Sequence, residues 1–158
     1  MFGPPWLNAE KQGLATLILN SHDHAFGRAL IPSARQEQSE RLRCQELFAC
    51  GFPVLAHGSE DDPKLTYANA DALLLWETTW TGLIGLPSKL TAPESERVER
   101  QEALGKAEDF KAISGYGGIR ISRRGRRFMI RNARIWSVRD NSEKVLGQAA
   151  SFRDWWWI

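Results

Sequence analysis

Residues 115–155 read GYGGIRISRRGRRFMIRNARIWSVRDNSEKVLGQAASFRDW, and this stretch decides the fold. Three strand-like runs, at about residues 113–122, 127–139 and 145–155, are separated by two turns. The first turn is Arg123-Arg124-Gly125-Arg126, where Gly125 supplies the positive backbone angle a tight turn needs. The second is Asp140-Asn141-Ser142-Glu143. Strands joined by such short turns pair antiparallel. Eight arginines lie between Arg120 and Arg139, and no acid occurs from Phe110 through Arg139. The block therefore raises the question of an anionic partner.

Upstream, residues 9–30 have the three-to-four spacing of a helix in Leu14, Leu17 and Ile18, with Ile31-Pro32 as its stop. Residues 36–49 predict a second helix, closed by Gly51. Residues 52–57 predict a strand, residues 58–63 an acidic turn, and residues 64–67 a second short strand. Residues 70–76 and 80–84 predict short helices, broken by Gly85-Leu86-Pro87. A longer helix from Pro93 to about Phe110 opens with proline and glutamates, as helix starts prefer. Five strands split two and three around helices predict an α+β domain. Its expected architecture is a five-stranded antiparallel sheet with helices on one face. Residues 1–50 are expected as an N-terminal helical extension and residues 51–158 as the core of one structural domain.

A chain of 158 residues with 42% hydrophobic and 25% charged content has the makeup of a globular domain. The net charge of +2 argues against a general polyanion binder, because the basic stretch is offset by acids at Glu60-Asp61-Asp62 and across 94–109. No apolar run approaches the roughly 20 residues that span a bilayer. Met1–Trp6 does not have the form of a signal peptide. Cys44 and Cys50 do not make a disulfide framework, so a reduced, cytoplasmic protein is expected.

Two segments resemble the PAS family of sensory domains. They are Leu65-Thr66-Tyr67-Ala68-Asn69-Ala70-Asp71-Ala72, where a second strand meets a short helix, and Trp80 through Gly85. FPVLAHGSEDDPKLTYANADALLLWE, LPSKLTA, YGGIRISRRGRRFMIRNARIW and GQAASFRDW are together similar to the MEKHLA domain, a PAS-related module that also occurs as free-standing bacterial proteins. The resemblance implies a PAS-like sheet and a sensory or regulatory module, with a pocket for a small apolar or aromatic ligand. It carries no homeodomain or leucine zipper into this chain. In the light-sensing branch of PAS domains a cysteine attacks a flavin; the matching position here is Ser88, and a hydroxyl lacks the sulfur nucleophilicity of that step. That branch holds the flavin edge with amides where this chain has Arg120, Ile130 and Phe152. Flavin is therefore not expected, and no other cofactor is.

Trp76, Trp80, Phe110, Tyr116, Phe128, Trp136 and Phe152 fall on elements that surround the cavity in PAS-like folds. They either fill the core or line a pocket. Gln148, among Gly147, Ala149 and Ala150, is a polar candidate for the same space. Strand alternation puts Ile119 and Ile121 on one face and Arg120 on the other, and it places Arg131 with Met129 and Ala133. The inward face is expected to carry Ile119, Ile121, Phe128, Ile130 and Gln148. Arg120, Arg131 and Arg134 are candidates for pairing with the acids of 94–109 or for contacting an anionic ligand.

His57 beside Gly58-Ser59-Glu60 either acts as a general base or fixes a strand exit. His22 and His24, two residues apart, do not share a helix face, and no zinc spacing is present. Three adjacent tryptophans, Trp155–Trp157, cannot all face inward, so one is expected to meet the N-terminal helix or a second subunit. The expected partners are thus a small ligand and a homodimer or partner protein, without specific nucleic acid or membrane. The readings left open are a ligand-binding sensory module, a structural dimerisation module and a small enzyme using His57 or Gln148 with an arginine.

Overall fold

Asn8 caps the first helix, its side chain accepting the Lys11 N–H at 2.9 Å. The computed structural model, which describes residues 3–158, runs this helix (α1) over Ala9–Phe26. It ends four residues earlier than the apolar spacing suggests. Gly27 takes a left-handed backbone (φ 68°) and returns its N–H to the Asp23 carbonyl, closing the last turn. The second helix (α2, Glu40–Ala49) starts four residues later than expected, where the Ser39 side chain accepts the Leu42 N–H. Then follow β1 (Val54–Gly58), β2 (Leu65–Ala68), α3 (Ala70–Leu75), α4 (Trp80–Leu83) and 3-10 turns at Ser88–Thr91 and Glu94–Glu96. The chain finishes with α5 (Arg97–Phe110), β3 (Ala112–Ile121), β4 (Arg127–Arg139), β5 (Val145–Ser151) and β6 (Asp154–Trp157).

The strands form an antiparallel sheet in the order β2-β1-β5-β4-β3. This is the five-stranded PAS-like α+β arrangement. The run expected as one last strand is broken at Phe152-Arg153. Its second piece, β6, continues alongside β4 from Arg131↔Asp154 to Phe128↔Trp157. Helix α3, the 3-10 turns and α5 lie on one face, called inner here. There Leu55, Phe128, Ile130, Ala133 and Phe152 pack with Trp76, and Ile135 packs with Ala103 and Ala107 of α5. Helix α1 crosses the outer face, where Val54, Ala56, Trp136, Val138 and Ala149 join Ala15, Ile18 and Leu19. Burying an aliphatic side chain of this size contributes about 1.5–3 kcal/mol.

Two irregularities revise the expected faces. Between Tyr116↔Ala133 and Gly118↔Ile130, β4 holds one residue more than β3, with Asn132 at φ 54°. This bulge turns Ala133 inward while Arg131 and Met129 stay outside. On β3, Arg120 pairs with Phe128, whose side chain is in the inner core, so Arg120 faces inward and Ile119 and Ile121 face out. The expectation of an inward Ile119 and Ile121 fails because the inner layer accepts the arginine: its guanidinium lies 5.4 Å from the Tyr116 ring centroid. Of the three terminal tryptophans, Trp155 and Trp157 pack edge-on against Phe128, and Trp156 points outward, 43% exposed.

Asn69 is fully buried where β2 enters α3. Its Oδ1 accepts the N–H groups of Val54 (2.9 Å) and Ala72 (3.1 Å). Its amide nitrogen donates to the carbonyls of Phe52 (2.8 Å) and Leu47 (3.2 Å). Asn69→Ala orphans these buried groups, and equilibrium unfolding is expected to show a loss of about 2–4 kcal/mol, at one to two unmet groups. Asn69→Asp is expected to be nearly as costly, since a carboxylate cannot donate to the two carbonyls.

Candidate functional site

His57 and Gln148 are cross-strand partners on β1 and β5, and both point to the inner face. Ser88 opens the 3-10 turn opposite them; its backbone N–H donates to the Pro63 carbonyl at 2.7 Å. Arg100 lies one turn before Ala103 and Leu104 on α5, on the stripe that meets the sheet. These residues form one directed chain of hydrogen bonds. Arg100 Nη2 donates to Ser88 Oγ (3.0 Å), and Ser88 Oγ lies 2.8 Å from His57 Nδ1. His57 Nε2 lies 3.3 Å from Gln148 Oε1, and Gln148 Nε2 donates to the Leu104 carbonyl (2.9 Å). The Gln148 amide thereby turns its oxygen toward His57, which places the imidazole proton on Nε2 and leaves Nδ1 to accept from Ser88.

Burial holds the His57 pKa down to about 4, and the positive charge of Arg100 adds to the effect. Near neutral pH the ring is uncharged, as the chain requires. Burial and then the neighbouring Arg120 lower the Arg100 pKa to about 10, which still leaves a full cation at pH 7.

Behind this chain lies a cavity of about 60 Å³. One wall is apolar, formed by Leu55, Trp76, Ile130, Ile135 and Phe152. The opposite side brings in Arg100, Arg120, Tyr116, His57 and Gln148. A second, larger depression of about 350 Å³ shares His57, Arg100, Leu104 and Gln148 with the first. The hydrogen-bonded chain thus forms the partition between an inner space and a mouth ringed by Glu60, Asp61 and Lys89.

Of the residues singled out from sequence, Trp76, Tyr116, Ile130, Gln148, Phe152 and Arg120 meet around this cavity. Phe128 is inward but fills the space between Trp76 and Trp157. Three aromatic candidates are elsewhere, besides the outward pair of the β3 edge. Trp136 is buried beneath α1, donating its indole N–H to the Ile18 carbonyl at 3.1 Å, because it sits one residue out of phase with Ile135. Trp80 packs edge-on to Tyr67 on the α1 side, with ring centroids 5.7 Å apart. Phe110, the last residue of α5, is 74% exposed and lies away from the cavity. Ile119 and Ile121 lie on the outer face, away from the cavity.

Arg134 is on the outer face, donating to His22 Nε2 at 2.9 Å and lying over Phe26. Arg131 is exposed, 5.7 Å from the Trp156 ring. Neither reaches the cavity. Sequence reasoning did not single out Arg100 or Leu104. The stripe Arg100, Ala103, Leu104, Ala107 at helical spacing marks them, with exposed Val98 falling off it. Among the described residues no group of three or more His, Cys, Asp or Glu side chains is placed to hold a metal. No helix among them is long and apolar enough to cross a membrane.

Residues 12–157 match the profile of the MEKHLA domain. The chain belongs to the MEKHLA domain family. A search of curated proteins gave no significant match. Among solved structures, a PAS domain of a protein from Colwellia psychrerythraea is similar to this MEKHLA chain with a TM-score of 0.64 at 12% identity. The likeness covers 72% of this chain and 94% of that one. An RNA-binding light-oxygen-voltage receptor gives 0.63 at 17% identity over 79% of this chain and 34% of its own. A PAS domain, in complex with ethanol, of a LuxR-family transcriptional regulator from Burkholderia thailandensis gives 0.54 at 14% identity, over 70% and 94%. At these identities the likeness is one of fold, the PAS/LOV type of sensory domain.

His22, fully buried on the sheet-facing side of α1, is also held to a pKa of about 4, by burial and then by Arg134. In the unfolded chain a histidine takes its proton near pH 6.5. Between pH 6.5 and 4 the unfolded state therefore binds more protons than the folded state, and stability falls as pH falls. Melting temperature measured across that window is expected to drop steadily, and His22→Leu and His57→Gln are each expected to flatten the slope.

Proposed function

We propose that this MEKHLA protein is a sensory module that holds a small ligand between α5 and the sheet and passes the signal on by association. One observation carries this reading: a half-polar cavity bounded by a hydrogen-bonded partition that joins α5, the Ser88 turn, β1 and β5. A ligand entering from the mouth must break or re-form that partition. It then stabilises one packing of α5 on the sheet over another, which is all that ligand-driven switching requires.

Flavin photochemistry is not part of the reading. Ser88 is buried and engaged with His57 and Arg100, and Ile130 and Phe152 offer no polar atoms to an isoalloxazine edge. Catalysis is the competing reading, because Ser88, His57 and Gln148 have the outline of nucleophile, base and orienter. The chemistry argues against it. A base with a pKa of about 4 takes up a serine proton poorly, and a neutral glutamine does not stabilise the imidazolium that must form.

Output is assigned to the outer face left free by α1. Trp156, Met129 and Ile119 stand in one cross-strand row there, and a second copy of the chain is the proposed occupant. Free Cys44 and Cys50 suit a reducing cytoplasm. Light scattering is expected to give a dimer mass that Trp156→Glu reduces to a monomer.

The ligand reading is tested by thermal shift against small alcohols, amides, aromatics and carboxylates of up to ten heavy atoms. A binder at ten times its Kd is expected to raise the melting temperature by about 3–6 °C. Ala150→Leu, which fills the cavity from β5, is expected to abolish the response. A wild-type protein that responds to none of these classes would sink the reading in favour of a closed structural core.

A further inference from the structure

Arg100 and Arg120 bring two guanidiniums to one small cavity. Arg120 is only 6% exposed. Among the described residues neither has a carboxylate within 4.0 Å. The nearby acids are engaged elsewhere: Glu96 accepts the Ile119 backbone N–H at 3.1 Å, and Glu60 accepts that of Lys64 at 2.9 Å. Within the chain, Arg120 donates to the Ile119 carbonyl and the Tyr116 hydroxyl, both at 2.9 Å, and Arg100 donates to Ser88 Oγ alone. A guanidinium has five N–H donors, so several on this pair have no acceptor within the protein.

Buried charges are ordinarily paired, and two like charges brought to one side of a small cavity destabilise the folded chain. A Cβ on Gly118 would lie 3.3 Å from both Arg120 Nη1 and the Tyr116 hydroxyl oxygen, so the glycine leaves the room into which this guanidinium folds. The charge is therefore kept in place by a shaped surrounding and lacks only its counter-ion.

We propose that the cavity takes a small monocarboxylate, with its oxygens on Arg100 and Arg120 and its apolar or aromatic tail against Trp76, Ile130 and Phe152. The proposal rests on the small-ligand reading above and names its chemical class. Planar carboxylate and guanidinium groups match in geometry, and their charge-assisted hydrogen bonds are about twice as strong as neutral ones. Phosphate fits less well, because its oxygens point to all sides and the Trp76–Phe152 wall has no donors for them. The 60 Å³ space extends into the mouth once Gln148 and His57 swing aside, so tails of a few carbons to one ring fit the class.

The experiment is calorimetric titration and thermal shift of the full chain with butyrate and benzoate, each beside a neutral analogue, butyramide and benzyl alcohol, and with inorganic phosphate. The carboxylates are expected to bind at least tenfold more tightly than their neutral analogues. Arg120→Met and Arg100→Met are each expected to weaken carboxylate binding tenfold to a hundredfold. Ligand-free Arg120→Met is expected to melt above the wild type, since an unpaired buried charge has been removed. Arg120→Lys, which keeps the charge and loses the two-pronged geometry, serves as the folded intermediate.

Neutral analogues that bind as well as the carboxylates would overturn the carboxylate assignment and leave the small-ligand reading standing. Phosphate binding more tightly than either carboxylate would replace the proposed class by a free oxyanion. If nothing binds and Arg120→Met melts below the wild type, the guanidiniums are structural and both readings fall.

Discussion

Asn69 is the point at which the backbone of four segments is made to agree. Its side chain satisfies one N–H at the start of β1 and one in the first turn of α3, and it fills carbonyl positions at the end of α2 and just before β1. A buried backbone group left unmet costs free energy comparable to a lost hydrogen bond. The stretch between the end of α2 and the start of β1 lies outside helix and sheet, and this amide bonds to groups at both of its ends. Once Asn69 is in place, β2 must end where it does and α3 must begin there, which sets Trp76 over the inner face of the sheet. The indole N–H of Trp76 then reaches the Thr91 carbonyl and steadies the Ser88–Thr91 turn. The site therefore depends on one amide that never touches it.

The sheet carries two chemistries because its alternation is broken at one place. Were Asn132 an ordinary member of the ladder, inward Phe128 and Ile130 would be followed by inward Asn132, Arg134 and Trp136. The large indole would then occupy the space that Ala133 and Ile135 leave open. The bulge instead sends Trp136 under α1 and puts Ala133 beside the cavity. Empty space in a close-packed interior results from where small side chains are placed. Here Ala133 on β4 and Ala150 on β5 supply it.

Much of this was legible in the sequence, and the failures have identifiable causes. Strand count, the turns at Gly125 and Asp140–Glu143, and the Asn69 junction follow from local chemistry, and local chemistry is what a sequence states directly. Helix ends were misplaced by four residues because apolar spacing continues past Gly27 and the polar run Gln36-Glu37-Gln38 before Ser39 does not break a helix by itself, while capping decides the boundary. Face assignments on β3 failed because two isoleucines and an arginine alternate there, and hydrophobicity alone points to the isoleucines as core. The room for Arg120 comes from Gly118, and one partner for it from Tyr116, neither of which lies in any pattern of apolar residues. Arg100 was missed for the same reason: a charged residue heading an alanine stripe looks solvated until the facing strands are known.

The connection between cavity and outer face follows from β1 itself. Leu55 and His57 look into the inner layer, while Val54 and Ala56 look into the layer formed with α1. On the neighbouring strand Gln148 and Ala149 divide in the same way. Gly147 is pressed so closely on β1 that a Cβ there would overlap the His57 carbonyl oxygen. The two strands therefore have no slack through which His57 could shift while Ala56 stays put. If a ligand moves the backbone at the His57–Gln148 pair, beyond swinging the two side chains aside, the Ala56–Ala149 surface beneath α1 must adjust in register with it. A close-packed interface responds to such a shift by moving between discrete arrangements. On the proposed function, α1 is thus the element through which an event in the cavity would alter what the outer face presents.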